Sequence, residues 1–133
     1  MNKSAAFYGT ALVLFHLLVN ILHGTAHSRL QIGLDLLGQL FVALIILVCP
    51  LLAMALLWTR LQPAGLSLLG VSMAASLFFG VYHHFVIASP DRVGQQGSGL
   101  WANLFAVSAW LLAITEGLGV YVAVRFWRRT AIG

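Results

Sequence analysis

Four long apolar segments, joined by short polar connections, occupy almost the whole of this 133-residue chain. Each reaches the roughly 20 residues that an α-helix needs to cross a ~30 Å hydrocarbon core. The composition agrees, because 61% of the residues are hydrophobic and only 8% are charged, which lies outside the range of soluble domains. The sequence therefore predicts an all-α, polytopic membrane protein with one four-helix transmembrane domain over residues 1–133. The predicted helices cover about residues 5–27, 34–59, 64–87 and 100–124.

Short connections, over residues 28–33, 60–63 and 88–99, favour an antiparallel up-down bundle. Cations concentrate at the cytoplasmic ends of membrane helices. We therefore expect both termini in the cytoplasm, in a bacterial-type inner membrane, with helices one and three running outward. Cations so dispersed form no nucleic-acid-binding patch, so the expected partners are the lipid bilayer, further copies of the chain or a larger membrane complex. The cations on the side of the termini are Lys3, Arg60, Arg125, Arg128 and Arg129.

The first helix carries a polar stripe made of His16, Asn20, His23 and His27. At about 100° per residue, the offsets of four, three and four residues keep these side chains on one face. The stripe must face the bundle, because lipid offers imidazole and amide groups no partners. It also interrupts the apolar stretch that a cleaved signal peptide needs, so we expect this helix to stay in the mature protein.

A second set of polar residues reaches the same depth near the outer face. His83 and His84 lie near the end of helix three, and we expect only one of them to point inward, because neighbouring helical positions differ by about 100°. Asp35 and Gln39 begin helix two one turn apart. Asp35 is predicted to be a metal ligand or the acceptor that orients an imidazole. Asp91 is a weaker candidate, because a proline turn explains its presence.

A deeper layer, near the middle of the membrane, contains His16, Cys49 and Glu116. An intramembrane carboxyl group is costly and normally has a specific partner, which we expect to be His16 or Asn20. Without such a partner, Glu116 would be protonated and bonded to a main-chain carbonyl. His16, Asn20, Gln39 and Glu116 are therefore predicted to form a second layer or a proton relay behind the outer histidines.

Histidines four residues apart, such as His23 and His27, present two ring nitrogens on one helical face. A third imidazole, from His83 or His84, and the carboxylate of Asp35 would complete a site suited to Zn, Cu or Fe. The main variant is one haem b, held by His23 and His84 across the bundle. The alternative is that these histidines lie in the headgroup region and bind only carbonyls or lipid phosphates.

Two further patterns concern the backbone. Pro50 is expected to kink helix two, because proline removes a backbone hydrogen bond and collides with the preceding turn. Ser72, Ser76 and Gly80 recur at the spacing typical of close helix packing in membranes, which is the main interpretation. The alternative is that these small side chains leave room for a flat cofactor.

The sequence therefore favours an integral membrane metal- or haem-binding protein with a redox or electron-transfer role. No catalytic residue is predicted, because phosphate loops, nucleophile elbows and dinucleotide fingerprints are absent from the sequence. The design is similar to that of small four-helix membrane cytochromes and accessory subunits of respiratory complexes, without a motif that transfers residues from them. The alternatives are a non-catalytic accessory subunit of a larger complex and a small proton- or ion-coupled transporter.

Overall fold

The computed structural model describes residues 1–131, with side chains described through Arg129. Within this part of the chain the fold is all-helical, which confirms the predicted fold class. Four helices are long and apolar enough to cross a membrane, so the chain is a multi-pass membrane protein. The helices are α1 (Lys3–Arg29), α2 (Leu36–Leu57), α3 (Gln62–Val86) and α4 (Leu100–Ala131).

The helix ends agree with the predicted bounds to about two residues, the usual uncertainty, except at the end of α4. This helix continues past residue 124 to Ala131. Arg125, Arg128 and Arg129 are exposed along the extension. Long arginine stems can follow an apolar helix while the guanidinium groups reach water, so the helix outlasts its purely apolar stretch.

Polar side chains close several helix ends at main-chain groups that the helical ladder leaves open. Asn2 caps α1 and Asp35 caps α2, each by accepting a hydrogen bond from the main-chain N–H three residues later, at 3.1 and 2.8 Å. The buried amide of Gln62, at the start of α3, donates to the main-chain oxygens of Asn2 (3.0 Å) and Leu57 (2.9 Å). The start of α1 is thereby tied to the turn between α2 and α3.

Successive helices are antiparallel neighbours around one axis. α4 packs against α1 and α3, α3 packs against α2, and the Cys49–Leu57 part of α2 packs against α1. We call the end with the N-terminus, the 58–61 turn and the end of α4 the arginine end. The end with the 30–35 and 87–99 connections is the histidine end.

Two stretches of π-helix interrupt the α-helical ladder. The first, Val42–Val48 in α2, ends two residues before Pro50, whose ring nitrogen has no hydrogen to donate. The helical turns of α2 before the proline are therefore wider than α-helical turns, while the expected kink at Pro50 stays a prediction. The second, Tyr82–Val86, closes α3 and contains both of its histidines. Such π-turns are frequent at functional sites because they change the direction of side chains.

The apolar core fills the arginine half of the bundle. Its largest fully buried side chains include Leu57, Leu66, Leu69 and Met73, and Phe126 closes it near the arginine end. Large apolar side chains also cover the outer surface, as expected where a helix faces lipid: Phe78 is 78% exposed. The histidine half contains the buried histidines and a cavity instead.

Candidate metal centre

Three imidazoles converge inside the histidine half. The Nε2 atom of His23 lies 3.2 Å from that of His84 and 3.2 Å from that of His27. One nitrogen from each ring belongs to a group whose atoms all lie within 4.8 Å of one another. α1 supplies two of these rings from successive turns, and α3 supplies the third. The described residues thus contain a histidine cluster that could hold a metal ion.

Each ring in the cluster has an oxygen acceptor at its other nitrogen. The Nδ1–H of His27 donates to the main-chain oxygen of Ile32 (3.2 Å), and that of His84 donates to the main-chain oxygen of Asp91 (3.1 Å). A carbonyl can only accept, so these contacts place the proton of each neutral ring on Nδ1. In this neutral tautomer each Nε2 atom carries a lone pair, and the Nε2 atoms face one another.

His23 also donates from Nδ1, but its acceptor is a hydroxyl group. Its Nδ1 lies 2.8 Å from Oγ of Ser108 on α4. That hydroxyl donates its own hydrogen to the main-chain oxygens of Leu104 (2.6 Å) and Phe105 (3.0 Å). Its oxygen must therefore accept from His23. Metal-binding histidines typically donate their second nitrogen in this way, which fixes the tautomer and the ring orientation.

Phe105 provides an apolar wall for the whole cluster. Its side chain is fully buried, and its ring centroid lies 4.9, 5.1 and 5.4 Å from those of His23, His27 and His84. Packing on a rigid aromatic ring restricts the rotamers of all three imidazoles. The cluster is therefore held in place before any ligand arrives, which is what a preorganised site requires.

Asp91 folds back over the cluster from the connection after α3. Its Oδ1 lies 3.2 Å from Nε2 of His27 and 3.3 Å from Nδ1 of His84. Those contacts have the distance of ion pairs but not the angles of hydrogen bonds, and both carboxylate oxygens are buried without a hydrogen-bond partner among the described residues. Burial raises the pKa of the Asp91 carboxyl, but the contact with the His84 ring and the positive charge of the nearby imidazoles, when these are protonated, lower it more, so this pKa lies below its usual value.

The spacing of the nitrogens suits an ion better than a haem. Two ligands of a tetrahedral ion with ~2.0–2.1 Å bonds lie about 3.3 Å apart. The Nε2 atom of His23 lies 3.2 Å from that of His84 and 3.2 Å from that of His27. Axial ligands on opposite sides of a haem iron would lie about 4 Å apart with the macrocycle between them. The His27 ring stands beside His23, in the space that a macrocycle would need.

Of the two adjacent histidines on α3, His84 points inward and His83 does not. His84 is buried within the cluster, whereas the ring of His83 packs on Phe79 at 4.3 Å and on Tyr82 at 5.3 Å. His83 is absent from the group of converging ligand atoms. The expectation that only one of the pair faces the bundle agrees with this arrangement.

Asp35, predicted to be a ligand or the acceptor of an imidazole, also lies outside the group of converging atoms. Its carboxylate is occupied as the cap of α2, where Oδ1 accepts from the N–H of Gly38. Gln39, one turn further on, donates to the main-chain oxygen of Leu34 (2.8 Å). The carboxylate beside the cluster comes from Asp91 instead, the residue that the proline turn had made the weaker candidate.

The deeper layer pairs His16 with Glu116. Nε2 of His16 lies 3.2 Å from Oε1 of Glu116, and the amide nitrogen of Asn20 lies 3.1 Å from the same Nε2. Both members of the pair are almost completely buried. This is the partner expected for Glu116 from the sequence. Cys49, expected at the same depth, is half-buried, and no hydrogen bond of its thiol is found in the described part of the chain.

A cavity of about 320 Å³ connects the two layers. Its lining includes the cluster and Asp91 from the outer layer, and Glu116 and Asn20 from the deeper layer. A Cβ added at Gly80 would stand 3.9 Å from Oε2 of Glu116 and 3.9 Å from Cδ2 of His84. The small residues Ser76 and Gly80 thus border open space instead of a tight helix contact.

Sequence reasoning missed Ser108 and underrated Asp91. Ser108 lies eight residues before Glu116, two helical turns away and on the same face, so its inward direction could have been deduced. The position of Asp91 depends on a loop that bends back, with the N–H of Val93 bonded to the carbonyl of His84 (2.9 Å). No periodic pattern in the sequence encodes that bend.

Comparison of the chain with known protein families, with curated proteins and with solved structures finds no match. The function must therefore be argued from the chemistry of the site itself.

Proposed function

We propose that this chain is an integral membrane protein that binds one transition-metal ion through Nε2 of His23, His27 and His84. The observation that carries the proposal is the convergence of three Nε2 atoms, 3.2 Å apart in two pairs, while each Nδ1 lies within hydrogen-bond distance of an oxygen. Lone pairs at that distance repel one another unless a cation or proton lies between them. A proton can bridge only one pair of nitrogen atoms, whereas a metal ion can bind a nitrogen atom from all three rings.

The buried carboxylate of Asp91 supports the same proposal. A carboxylate without a hydrogen bond is costly in an apolar interior unless a positive charge compensates it. A divalent ion among three neutral imidazoles supplies that charge. Three histidines leave one position of a tetrahedral ion open, as in catalytic sites that keep a place for water or substrate.

The identity of the ion decides the kind of chemistry. Three imidazoles suit Zn, Cu or Fe. We assign the site to redox or electron transfer if the ion is Cu or Fe, because Zn has no redox chemistry and would act only as a Lewis acid. A single haem b is the less favoured ligand, because the nitrogen spacing is too short for axial ligation and a third ring stands in the way.

Metal analysis of protein purified in mild detergent without chelators tests the proposal. We expect one Zn, Cu or Fe per chain and, after its removal, one Co²⁺ per chain with the intense visible bands of a tetrahedral ion. His23→Ala should abolish both signals. His83→Ala is the matched control, since it removes an imidazole that packs outside the cluster. Equal Co²⁺ binding by wild type and His23→Ala, or none by wild type, would falsify the proposal.

The orientation is a further part of the proposal: the arginine end lies in the cytoplasm, and the metal site lies near the outer face. Its support is the concentration of Lys and Arg at that end. A cysteine introduced at Gln95 should react with a membrane-impermeant maleimide in intact cells, and one introduced at Arg60 should react only after lysis. The reverse pattern would invert the topology.

Proton-coupled transport is a second candidate, favoured by the cavity that joins the cluster to Glu116. It predicts that Glu116→Gln abolishes flux in reconstituted vesicles, and unchanged flux would exclude the coupling role. The accessory-subunit alternative predicts co-purification with larger membrane proteins in mild detergent. A chain that migrates alone with its metal argues against it.

A further inference from the structure

The cavity beside the cluster has a few polar groups among apolar walls. Val42 and Ile46 of α2, Phe79 of α3 and Leu112 of α4 form its sides. A molecule that fits must therefore be mostly apolar, with a polar group at the end that faces the metal site. The volume of about 320 Å³ lies at the lower end of the 300–1,000 Å³ typical of small-molecule pockets.

The rim of the cavity lies between α1 and α2. Gly24 and Gln39 line the cavity and are also exposed at the surface of the bundle. A Cβ added at Gly24 would have no atom within 4 Å, so the wall is open at this point. The histidine half of α2 makes few contacts with α1, in contrast to its Cys49–Leu57 part. The gap between the two helices therefore gives access to the cavity.

Exposed apolar residues lie close to Gly24 and Gln39 along the two helices. Ile21 on α1 is 59% exposed, and Leu40 on α2 is 48% exposed. Both helices are candidate membrane spans, so these side chains face hydrocarbon. A molecule that uses the gap therefore approaches from the bilayer and not from the aqueous phase.

Glu116 supplies an acceptor close to the cluster, because its Oε2 and the Cδ2 atom of His84 each lie 3.9 Å from the position that a Cβ of Gly80 would take. Its Oε1 is paired with His16, which is its sole hydrogen-bond partner among the described residues. Its Oε2 faces the cavity near Gly80. A bound molecule with an O–H group can donate to this oxygen, whereas a hydrocarbon of the same size cannot.

We infer that the cavity binds a small apolar molecule bearing a hydroxyl group, of the phenol type, which enters from the bilayer between α1 and α2. Its oxygen occupies the open position of the ion, and Glu116 is the nearby acceptor for its proton. The inference rests on the proposed metal site. It adds the chemical class of the ligand and the direction from which the ligand comes.

Cobalt-loaded protein in lipid nanodiscs provides the test, with 4-methylphenol and toluene as matched probes. Both partition into the bilayer, but only the phenol carries an oxygen donor. We expect the phenol to change the visible Co²⁺ bands saturably and toluene to leave them unaltered. Absence of Co²⁺ bands in the wild type overturns the metal site itself. Co²⁺ bands that ignore the phenol, or respond equally to toluene, overturn this inference while the metal site stands.

The route is tested by a bulky residue at the rim. Gly24→Phe should weaken the phenol response at least tenfold while the Co²⁺ bands persist. Gly117→Phe is the control, because Gly117 lies on α4 outside the cavity, where an added Cβ also meets no atom within 4 Å. If both variants respond like the wild type, or azide in water changes the bands while the phenol does not, the ligand does not come from the bilayer.

Discussion

Glycines show most directly how the two halves of the bundle differ. In the arginine half, a Cβ added at Gly65 would stand 3.0 Å from Cβ of Leu56, and one at Gly119 would stand 2.7 Å from Cγ of Met73. In the histidine half, a Cβ at Gly24 would meet nothing within 4 Å, and one at Gly80 would be in ordinary contact. The first pair lets helices touch, while the second pair borders a cavity.

The difference teaches how a chain of four helices can keep a polar site in a membrane. The arginine half supplies close packing, which drives helix association in lipid. The histidine half departs from the usual rules with an open volume, three facing imidazoles and a carboxylate without hydrogen bonds. Such departures are expected at functional sites, where the rest of the structure maintains them. Substitutions in the two halves should therefore act on different measured quantities.

Loss of a cluster imidazole should have the largest effect, and on metal affinity. We expect His84→Ala to weaken Co²⁺ binding by more than about 100-fold, because losing a ligand exceeds the 10–100-fold cost of losing an outer partner. His83→Ala should bind Co²⁺ as tightly as the wild type does, although it removes the imidazole of the neighbouring residue. Isothermal titration of the metal-free variants in detergent measures both. Similar losses in the two variants would mean that the histidines act through helix stability and not as ligands.

Loss of the acceptor behind His23 should have the next largest effect. Ser108→Ala removes the oxygen 2.8 Å from Nδ1 of His23, so the ring is free to rotate or change tautomer, and metal affinity should fall about 10–100-fold. Thr115→Ala is the control: this hydroxyl is also buried on α4 and donates to a main-chain oxygen, but it does not contact the cluster. Equal affinities in the two variants would remove the orienting role from Ser108.

The bundle itself was predictable, because span length and hydrophobicity determine which segments cross a membrane. The inward face of α1 was predictable too, since helical periodicity places His16, His23 and His27 on one side. Depth matching between helices one and three brought His84 to the same level. These inferences depend on regular geometry, which a sequence encodes directly.

The remainder of the site depends on irregular geometry. The choice between His83 and His84 depends on the π-turn at Tyr82–Val86. Asp91 lies beside the cluster and Asp35 does not. The carboxylate of Asp35 caps α2, whereas the loop after α3 folds back and brings Asp91 to the histidines. From the sequence alone, a carboxylate near the start of a helix can be either a helix cap or a metal ligand. Only the course of the backbone decides between the two uses.

A substitution in the arginine half should change the stability of the protein but not its metal affinity. Gly65→Ala introduces a Cβ 3.1 Å from the main-chain oxygen of Ala53 and from the main-chain nitrogen of Leu57. Backbone atoms cannot turn aside as a flexible side chain can, so we expect a loss of about 1–3 kcal/mol in the free energy of unfolding. Reversible unfolding in mixed micelles measures it. Unchanged stability would show that α2 and α3 can separate there without cost.

The smallest expected effect is an increase in stability, and it should follow from a substitution in the histidine half. Gly24→Ala adds a methyl group where no atom lies within 4 Å, and alanine loses less backbone entropy than glycine when it becomes helical. The free energy of unfolding should therefore rise by about 0.5–1 kcal/mol. The same micelle experiment compares it with Gly65→Ala, so one substitution type reports on both halves. If Gly24→Ala destabilised the protein as Gly65→Ala does, α1 and α2 would close on each other at the histidine end, and the bilayer-facing gap would not exist.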